Sequence, residues 1–397
     1  MKIVMDFRKY DGVVGGVEQG VIQITRLFSS LRNEVVLLCK KKRTAEVRPL
    51  FEGVKSVQVV PLDVETHVMS RKNKRLDTTT IQKIAAQEGA QIIHFPYNWS
   101  FPAKKTVPTV LTVHDVIPFT FREAQGLYTN LVKYKPGMRK ACGLNDMIAT
   151  VSEFSRQDIS RKVGVPLKKI RVIHNGLRKP NPHDGKVEEA LRKRLDLGDR
   201  FILNVGGIHE RKNVPRLIRS FSLLATHSGY KGKLVITGKV SGAPYQEKMK
   251  RICDGAVADT GMMDKVLFTS YVSEPELDEL FRMADLLIYP SLYEGFGIPV
   301  IEAMNAGLPV ITSNSSALPE VAGGAALLAD PEDTDDMTRK MEQLLSDESL
   351  KKELIKKGKE RCSSFTWEKT AHEYLALYQE AISAGRGTDA LKSTASP

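Results

Sequence analysis

The chain lacks any apolar run approaching the roughly 18 residues that a membrane-spanning helix needs, so no transmembrane segment is expected. Its opening, Met1-Lys-Ile-Val-Met-Asp6, is too short and too quickly charged for a secretory signal. Cysteine is scarce. Cys39, Cys142, Cys253 and Cys362 are scattered, with no C-x-x-C pair and no histidine at zinc-finger spacing, which excludes a disulfide framework and a structural zinc site. They are expected to be reduced core residues of a cytoplasmic protein. No recognition helix, RRM or zinc finger can be found, which argues against nucleic acid as a partner. The first strand is not followed by G-x-G-x-x-G, and the second ends in lysines where a dinucleotide fold places its ribose-binding acid, which argues against NAD. No D-x-D pair at a strand end points to a metal clamp.

What is present fits a soluble α/β protein. At 397 residues, with 42% hydrophobic and 27% charged content, the chain has room for two ordinary domains. The formal net charge is +12. Basic clusters stand at Lys40-Lys41-Lys42-Arg43 and Arg71-Lys72-Asn73-Lys74-Arg75. They read either as solvated loops or as docking sites for an anionic partner, a nucleotide or a phospholipid surface.

Apolar runs expected as strands recur along the first half: Lys2–Phe7, Glu34–Lys40, Gln91–Pro96, Thr109–Asp115, Asp146–Ser152 and Lys169–Gly176. Behind the first, Gly12, Gly15 and Gly16 precede a helical face of Val17, Val21, Ile24, Phe28 and Leu31. That is the opening of a βαβ unit whose helix N-terminus suits a phosphate. His114 and Asp115 end a strand, where the His either contacts a ligand hydroxyl or is satisfied structurally. The loop Tyr97-Asn98-Trp99 with Phe101 is either an acceptor platform or packing. Lys179-Pro-Asn-Pro-His-Asp-Gly185 is polar and rich in breakers, the best linker in the chain.

The second half restarts the pattern at Phe201-Ile-Leu-Asn-Val-Gly206-Gly207. Asn213 is expected to cap the next helix, so Arg211 and Lys212 fall at its positive end, an arrangement that favours a bound anion. Further strands are expected at 233–239, 266–272, 285–291 and 309–312. The stretch Glu294-Gly-Phe-Gly297-Ile-Pro-Val-Ile-Glu302 joins a buried strand to a helix with Pro299 in its first turn and Gly307 past its end. Residues 333–361 are expected to be helical, a last helix to span 367–383, and the tail 384–397 to be disordered.

These elements together resemble a family 4 retaining glycosyltransferase of the two-Rossmann (GT-B) architecture. The residues that carry the resemblance are Gly15-Gly16, His114-Asp115, Thr150-Val-Ser152-Glu-Phe-Ser155, Asn175-Gly176, Gly206-Gly207 with Arg211-Lys212-Asn213, and Glu294…Glu302 at E-x7-E spacing. Ile208 departs from the arginine that many relatives carry after the glycine turn. His-Asp-Val-Ile-Pro at 114–118 and Glu-Arg-Lys-Asn at 210–213 resemble a mannosyltransferase-like branch.

The resemblance implies an acceptor-binding domain at 1–180 and a nucleotide-sugar-binding domain at 181–366 facing it across a cleft. It also implies that the last helix packs back on the N-terminal domain. By the same resemblance Arg211 and Lys212 bind the diphosphate, and Glu302 binds the ribose. Glu294, Phe296, Gly297 and Gly207 hold the donor, and Tyr271 and Val272 line the base pocket. Gly15 and Gly16 close on the phosphates, and His114 meets the sugar near the reacting centre. No cofactor or metal is implied. The implied donor is a nucleotide diphosphate sugar, GDP-mannose first, and the acceptor is a glycan or a lipid-linked glycan in cell-surface polysaccharide biosynthesis. A UDP-sugar donor or a nucleotide-sugar epimerase are the alternatives. The basic clusters add a peripheral contact with an anionic membrane as an expectation.

Overall fold

A computed structural model describes the chain except for residues 65–70, 122–129, 239, 241 and 394–397; the side chains of 71, 73, 130–131 and 385–393 are also outside the description. The chain divides into two units. Unit 1 is Met1–Phe119, Gly126–Gly176 and the segment from Phe365, and unit 2 is Thr120–Gln125 with Leu177–Ser364.

Unit 1 is built on a parallel sheet of order β3-β2-β1-β4-β5-β6-β7. Its strands are β1 (Lys2–Asp6), β2 (Glu34–Lys40), β3 (Val57–Leu62), β4 (Ile92–Phe95), β5 (Thr109–Thr112), β6 (Met147–Thr150) and β7 (Ile170–Val172). Strands β4, β5 and β6 are buried along their whole length, which is why they read as unbroken apolar runs rather than alternating ones. The helix Gly16–Ser30 buries Val21, Ile22, Ile24 and Phe28 at helical spacing. The last helix, Trp367–Ser393, belongs to this unit and adds Trp367, Ala371, Tyr374, Leu377, Tyr378 and Ala381 to the same core. It also completes a buried polar chain. Tyr378 OH meets His94 Nδ1 at 2.7 Å, His94 Nε2 meets Thr112 Oγ1 at 2.8 Å, and Thr112 Oγ1 meets Tyr374 OH at 3.0 Å.

Unit 2 repeats the plan with β8 (Phe201–Val205), β9 (Lys233–Thr237), β10 (Val266–Phe268), β11 (Leu286–Tyr289), β12 (Val310–Ser313) and β13 (Leu327–Ala329). Their order is β10-β9-β8-β11-β12-β13, with parallel pairing throughout. The strand order reverses between β8 and β11. Loops leaving neighbouring strands at such a point part to opposite sides and open a crevice at the carboxyl ends. The helix Val214–His227 buries Val214, Leu217, Ile218, Phe221 and Leu224, the face its sequence spacing indicates.

Three expectations are corrected and one open reading, that of the aromatic loop, is decided. The tail expected to be disordered from residue 384 is helix through Ser393, because each further residue of a docked helix adds a hydrogen bond without a new nucleation cost; 394–397 lie outside the described residues. Arg71–Thr78 is a helix rather than a loop. Lys40 is buried and paired with Asp11, so the first basic cluster is not wholly solvated. Tyr97 and Phe101 are buried in the core, so the loop's aromatics pack inward and form no exposed platform. Position 239, at the end of an expected strand, lies outside the described residues. All four cysteines are buried and free. Among the described residues, no helix is long and apolar enough to cross a membrane.

Candidate functional site

At the strand-order reversal of unit 2, β8 runs into Gly206 and Gly207, whose φ angles are +119° and +77°. Glycine is required here for space as well as for φ. A Cβ on Gly206 would stand 2.9 Å from Lys212 Nζ, and one on Gly238 would come within 2.3 Å of Gly207 Cα. Both amides donate to Thr237 O, at 3.2 and 2.8 Å. The chain then makes a 3₁₀ turn, Glu210–Lys212, before the helix Val214–His227. Asn213 sits between them at φ +61°, in the left-handed region that Asn tolerates well. Its side chain does not cap the helix, as the sequence led one to expect. It donates instead to Pro331 O at 2.6 Å and Pro290 O at 3.3 Å, tying this turn to the loops after β11 and β13.

The loop after β11 brings Glu294 to the same place. Arg211 NH1 lies 2.6 Å and Lys212 Nζ 2.7 Å from Glu294 Oε1. Tyr289 OH donates to that oxygen at 3.2 Å, and Lys212 Nζ also bonds Tyr289 OH. The backbone holds the arrangement from both sides. Leu292 N donates to Arg211 O at 2.7 Å, and Glu294 N donates to Ser316 Oγ at 3.1 Å. Lys212, Tyr289 and Glu294 are all buried. Burial alone would lift the Glu294 carboxyl, but the Lys212 and Arg211 charges outweigh it and hold the group below the usual range. Burial, reinforced by the Glu294 charge, pushes the Tyr289 phenol well up. Two cations thus share one carboxylate at a strand-order reversal, a site with more positive than negative charge that fits a phosphate.

Beyond Glu294, Phe296 is buried and Gly297 starts the helix Ile298–Asn305 at φ +104°. A Cβ on Gly297 would meet Leu318 Cδ2 at 2.6 Å. Glu302, on that helix, belongs to a second cluster that the sequence did not reveal. Arg178 Nε donates to Glu302 Oε1 at 2.8 Å, while its NH1 and NH2 grip Asp278 at 2.9 and 2.6 Å. Burial lifts the Glu302 carboxyl above its ordinary value, and Arg178 only partly opposes this. Asp278 is pressed upward by burial too, but Arg178 and Asn181 prevail and hold it low. Tyr271 is exposed and Val272 half-buried just before the helix Glu274–Met283, whose N-cap Ser273 exchanges hydrogen bonds with Glu276.

The unit 1 candidates have their own setting. Gly15 N donates to Glu18 Oε2 at 3.1 Å at the start of the helix Gly16–Ser30. Gly16 and His114 line one small cavity together with His94, Thr112 and Trp367. His114 Nε2 carries its proton, since its partner at 2.9 Å is the carbonyl of Pro96, and the backbone N–H donates to Asn98 Oδ1 at 3.1 Å. Burial lowers its pKa, which favours the neutral ring. Two cations at the end of β1 were missed. Arg8 is buried between Asp6 and Asp77, at 2.7 and 2.6 Å, and Lys9 lies over the Tyr97 ring with its ammonium pushed down to about 8 by burial.

The structure therefore gathers Arg211, Lys212 and Glu294 on one oxygen with Gly206 against the lysine, places Glu302 in a separate Arg178-centred cluster, and groups Gly16 with His114 in unit 1.

The family described as Glycosyltransferase Family 4 matches residues 14–178, and that described as Glycosyl transferases group 1 matches residues 187–361. A serotype-specific mannosyltransferase, WbdA of Escherichia coli, is 28% identical over 299 residues, covering 74% of this chain. The matched segment spans only 36% of WbdA's own length. O-antigen chain mannosyltransferase B of E. coli is 29% identical over 273 residues, 68% of this chain and 70% of that protein. Among solved structures, a sucrose-phosphate synthase from Thermosynechococcus elongatus superposes with a TM-score of 0.73 at 20% identity, over 96% of this chain and 99% of the other, and shows the fold. The two family models together cover most of the chain, which belongs to the family 4 glycosyltransferases of GT-B fold.

Proposed function

We propose that the protein is a retaining hexosyltransferase that moves mannose from GDP-mannose to a glycan or lipid-linked acceptor in cell-surface polysaccharide biosynthesis. The observation that carries the reading is the pair Arg211–Lys212, both within 2.7 Å of Glu294 Oε1 at the strand-order reversal of unit 2. Breaking the anomeric C–O bond builds negative charge on the diphosphate and positive character on the sugar. Fixed cations at the phosphate lower that barrier, and preorganised charge of this kind often contributes more to catalysis than any other single effect. Arg211 and Lys212 would then carry the leaving group, and Glu294 would face the sugar as a contact or charge stabiliser. Glu302 would accept from the ribose hydroxyls. Relatives named for mannosyl transfer support mannose as the sugar. With a lipid-linked acceptor, the protein would work at the cytoplasmic face of a membrane, drawn there by basic residues of unit 1 such as Lys42 and Lys74, at about 1 kcal/mol each near an anionic surface.

The test is thermal-shift stabilisation by GDP against UDP and ADP, followed by transfer from the matching nucleotide-sugars with Arg211→Ala and Lys212→Ala. Stabilisation by GDP, with transfer cut about 10²-fold or more by either change, is expected. Undiminished transfer in both variants would remove the clamp, and a larger shift with UDP would move the donor to a UDP-sugar.

A further inference from the structure

The segment between β7 and the helix Gly185–Leu195 reads as a loose linker, yet it is pinned to the helix Glu274–Met283 by two buried carboxylates. Asp278 takes the Arg178 fork and, on Oδ2, both the backbone and the side-chain nitrogen of Asn181 at 2.8 Å. Glu279 takes Asp184 N at 2.9 Å and His183 Nδ1 at 3.0 Å. Arg178 is therefore fixed from behind, by a carboxylate only 4% exposed, before it reaches Glu302. Its third nitrogen, Nε, meets Glu302 Oε1, and among the described residues no donor meets Glu302 Oε2. The carboxylate lines a cavity of about 170 Å³ with Leu177, Arg178, Pro180, Asn305 and Ala306.

We propose that Arg178 is a positioning residue for donor recognition: anchored on Asp278, it grips Oε1 of Glu302 and aims the carboxylate so that Oε2 accepts from the ribose hydroxyls. The inference rests on the reading of Glu302 as the ribose ligand. The geometry suits the task because a guanidinium can bind one carboxylate bidentately and still present Nε to a second, which an ammonium cannot do with fixed direction. It also answers a chemical need. A carboxyl as buried as Glu302 drifts toward its protonated form without a cation, and a neutral carboxyl accepts from hydroxyls more weakly than a carboxylate does. A purely structural ion pair would affect every nucleotide alike. A positioning residue weakens only those nucleotides that carry the hydroxyls.

The experiment measures dissociation constants for GDP and 2′,3′-dideoxy-GDP by calorimetry in the wild type, Arg178→Met, Arg178→Lys and Glu302→Gln, with UDP and its dideoxy form as the second pair. In Arg178→Met the ribonucleotide should weaken about tenfold and the dideoxynucleotide less than twofold, so that the preference for ribose collapses. Arg178→Lys should restore part of that preference, and the loss should fall on KM for the donor more than on kcat. Should Arg178→Met fold poorly, Asp278→Asn, which loosens the anchor while leaving Arg178 in place, should show the same selective loss. A ribose preference that survives in Arg178→Met and in Asp278→Asn but collapses in Glu302→Gln overturns the role of Arg178 alone. A preference that survives in Glu302→Gln overturns the reading of Glu302 and this inference with it.

Discussion

Glu294 Oε1 lies 2.7 Å from Lys212 Nζ, and both side chains are buried. With Arg211 on the same oxygen, the carboxylate neutralises part of the positive charge that an arriving diphosphate would use. Glu294→Gln keeps the shape and removes that competing charge. Nucleoside diphosphate binding should tighten a few-fold in this variant, while hexose transfer should fall about 10²-fold because a developing positive charge loses its counter-ion. Calorimetry with GDP and a transfer assay measure the two separately. Diphosphate affinity falling in step with transfer would mean that the cations do not act as a phosphate clamp.

Gly206 is the second lever on the same lysine. At φ +119° an L side chain is strained, and its Cβ would stand 2.9 Å from Lys212 Nζ. Gly206→Ala should cost about 1–3 kcal/mol in urea unfolding and displace the lysine, bringing transfer down toward the level of Lys212→Met. A variant that loses stability yet keeps full transfer would show that the lysine's placement does not matter to the reaction.

The buried His94 makes stability depend on pH. Burial, with a smaller push from His114, lowers its pKa from 6.5 to about 3 in the folded chain. Between those values the unfolded chain binds a proton that the folded chain refuses, so stability is full above about pH 6.5 and is lost as pH falls toward 3. The loss from this residue should reach about 2 kcal/mol at pH 5. His114, shifted the same way by burial, steepens the slope. Urea titrations of the wild type and His94→Gln at pH 7.5 and pH 5 check this. The variant should lose about 2 kcal/mol less across the interval, and parallel curves would contradict the assignment.

Much of this architecture could be read in the chain itself. Strands buried on both faces, such as Leu286–Tyr289 and Thr109–Thr112, are legible as short unbroken apolar runs. Val57–Leu62 was missed because its burial is partial and mixed, and Leu327–Ala329 because three residues are too few to show a period. Within the candidate site, Arg211, Lys212 and Glu294 could be picked out singly, from a glycine turn and from a strand-to-helix loop. That they share one oxygen could not, since 83 residues separate Arg211 from Glu294 and strand order alone brings them together. Arg178 had no local signal. An arginine among prolines and asparagines reads as solvated linker, and only Asp278, 100 residues on, and Glu302, 124 residues on, show it to be held in an ion-pair cluster. Asn213 shows the reverse error, a residue of the right type for a cap that is used to cross-tie loops instead.

The same clamp bears on metal dependence. Many sugar transferases neutralise the diphosphate with a divalent ion held by paired acids. Here the acid nearest the cations, Glu294, is already engaged by Arg211 and Lys212, and its oxygen is committed to them. The one group of three potential metal ligands among the described residues is His183, Glu188 and Glu279. It stands by the linker with Arg282 NH1 at 2.7 Å from Glu279 Oε1, a cation that a metal would have to displace. If Arg211 and Lys212 supply the positive charge, EDTA should leave the transfer rate within about twofold, and added Mg²⁺ should not rescue Lys212→Met. Rates measured across a chelator titration decide this. A loss of tenfold or more on chelation, restored by Mg²⁺, would assign the diphosphate's charge to a metal and reduce the two side chains to orienting groups.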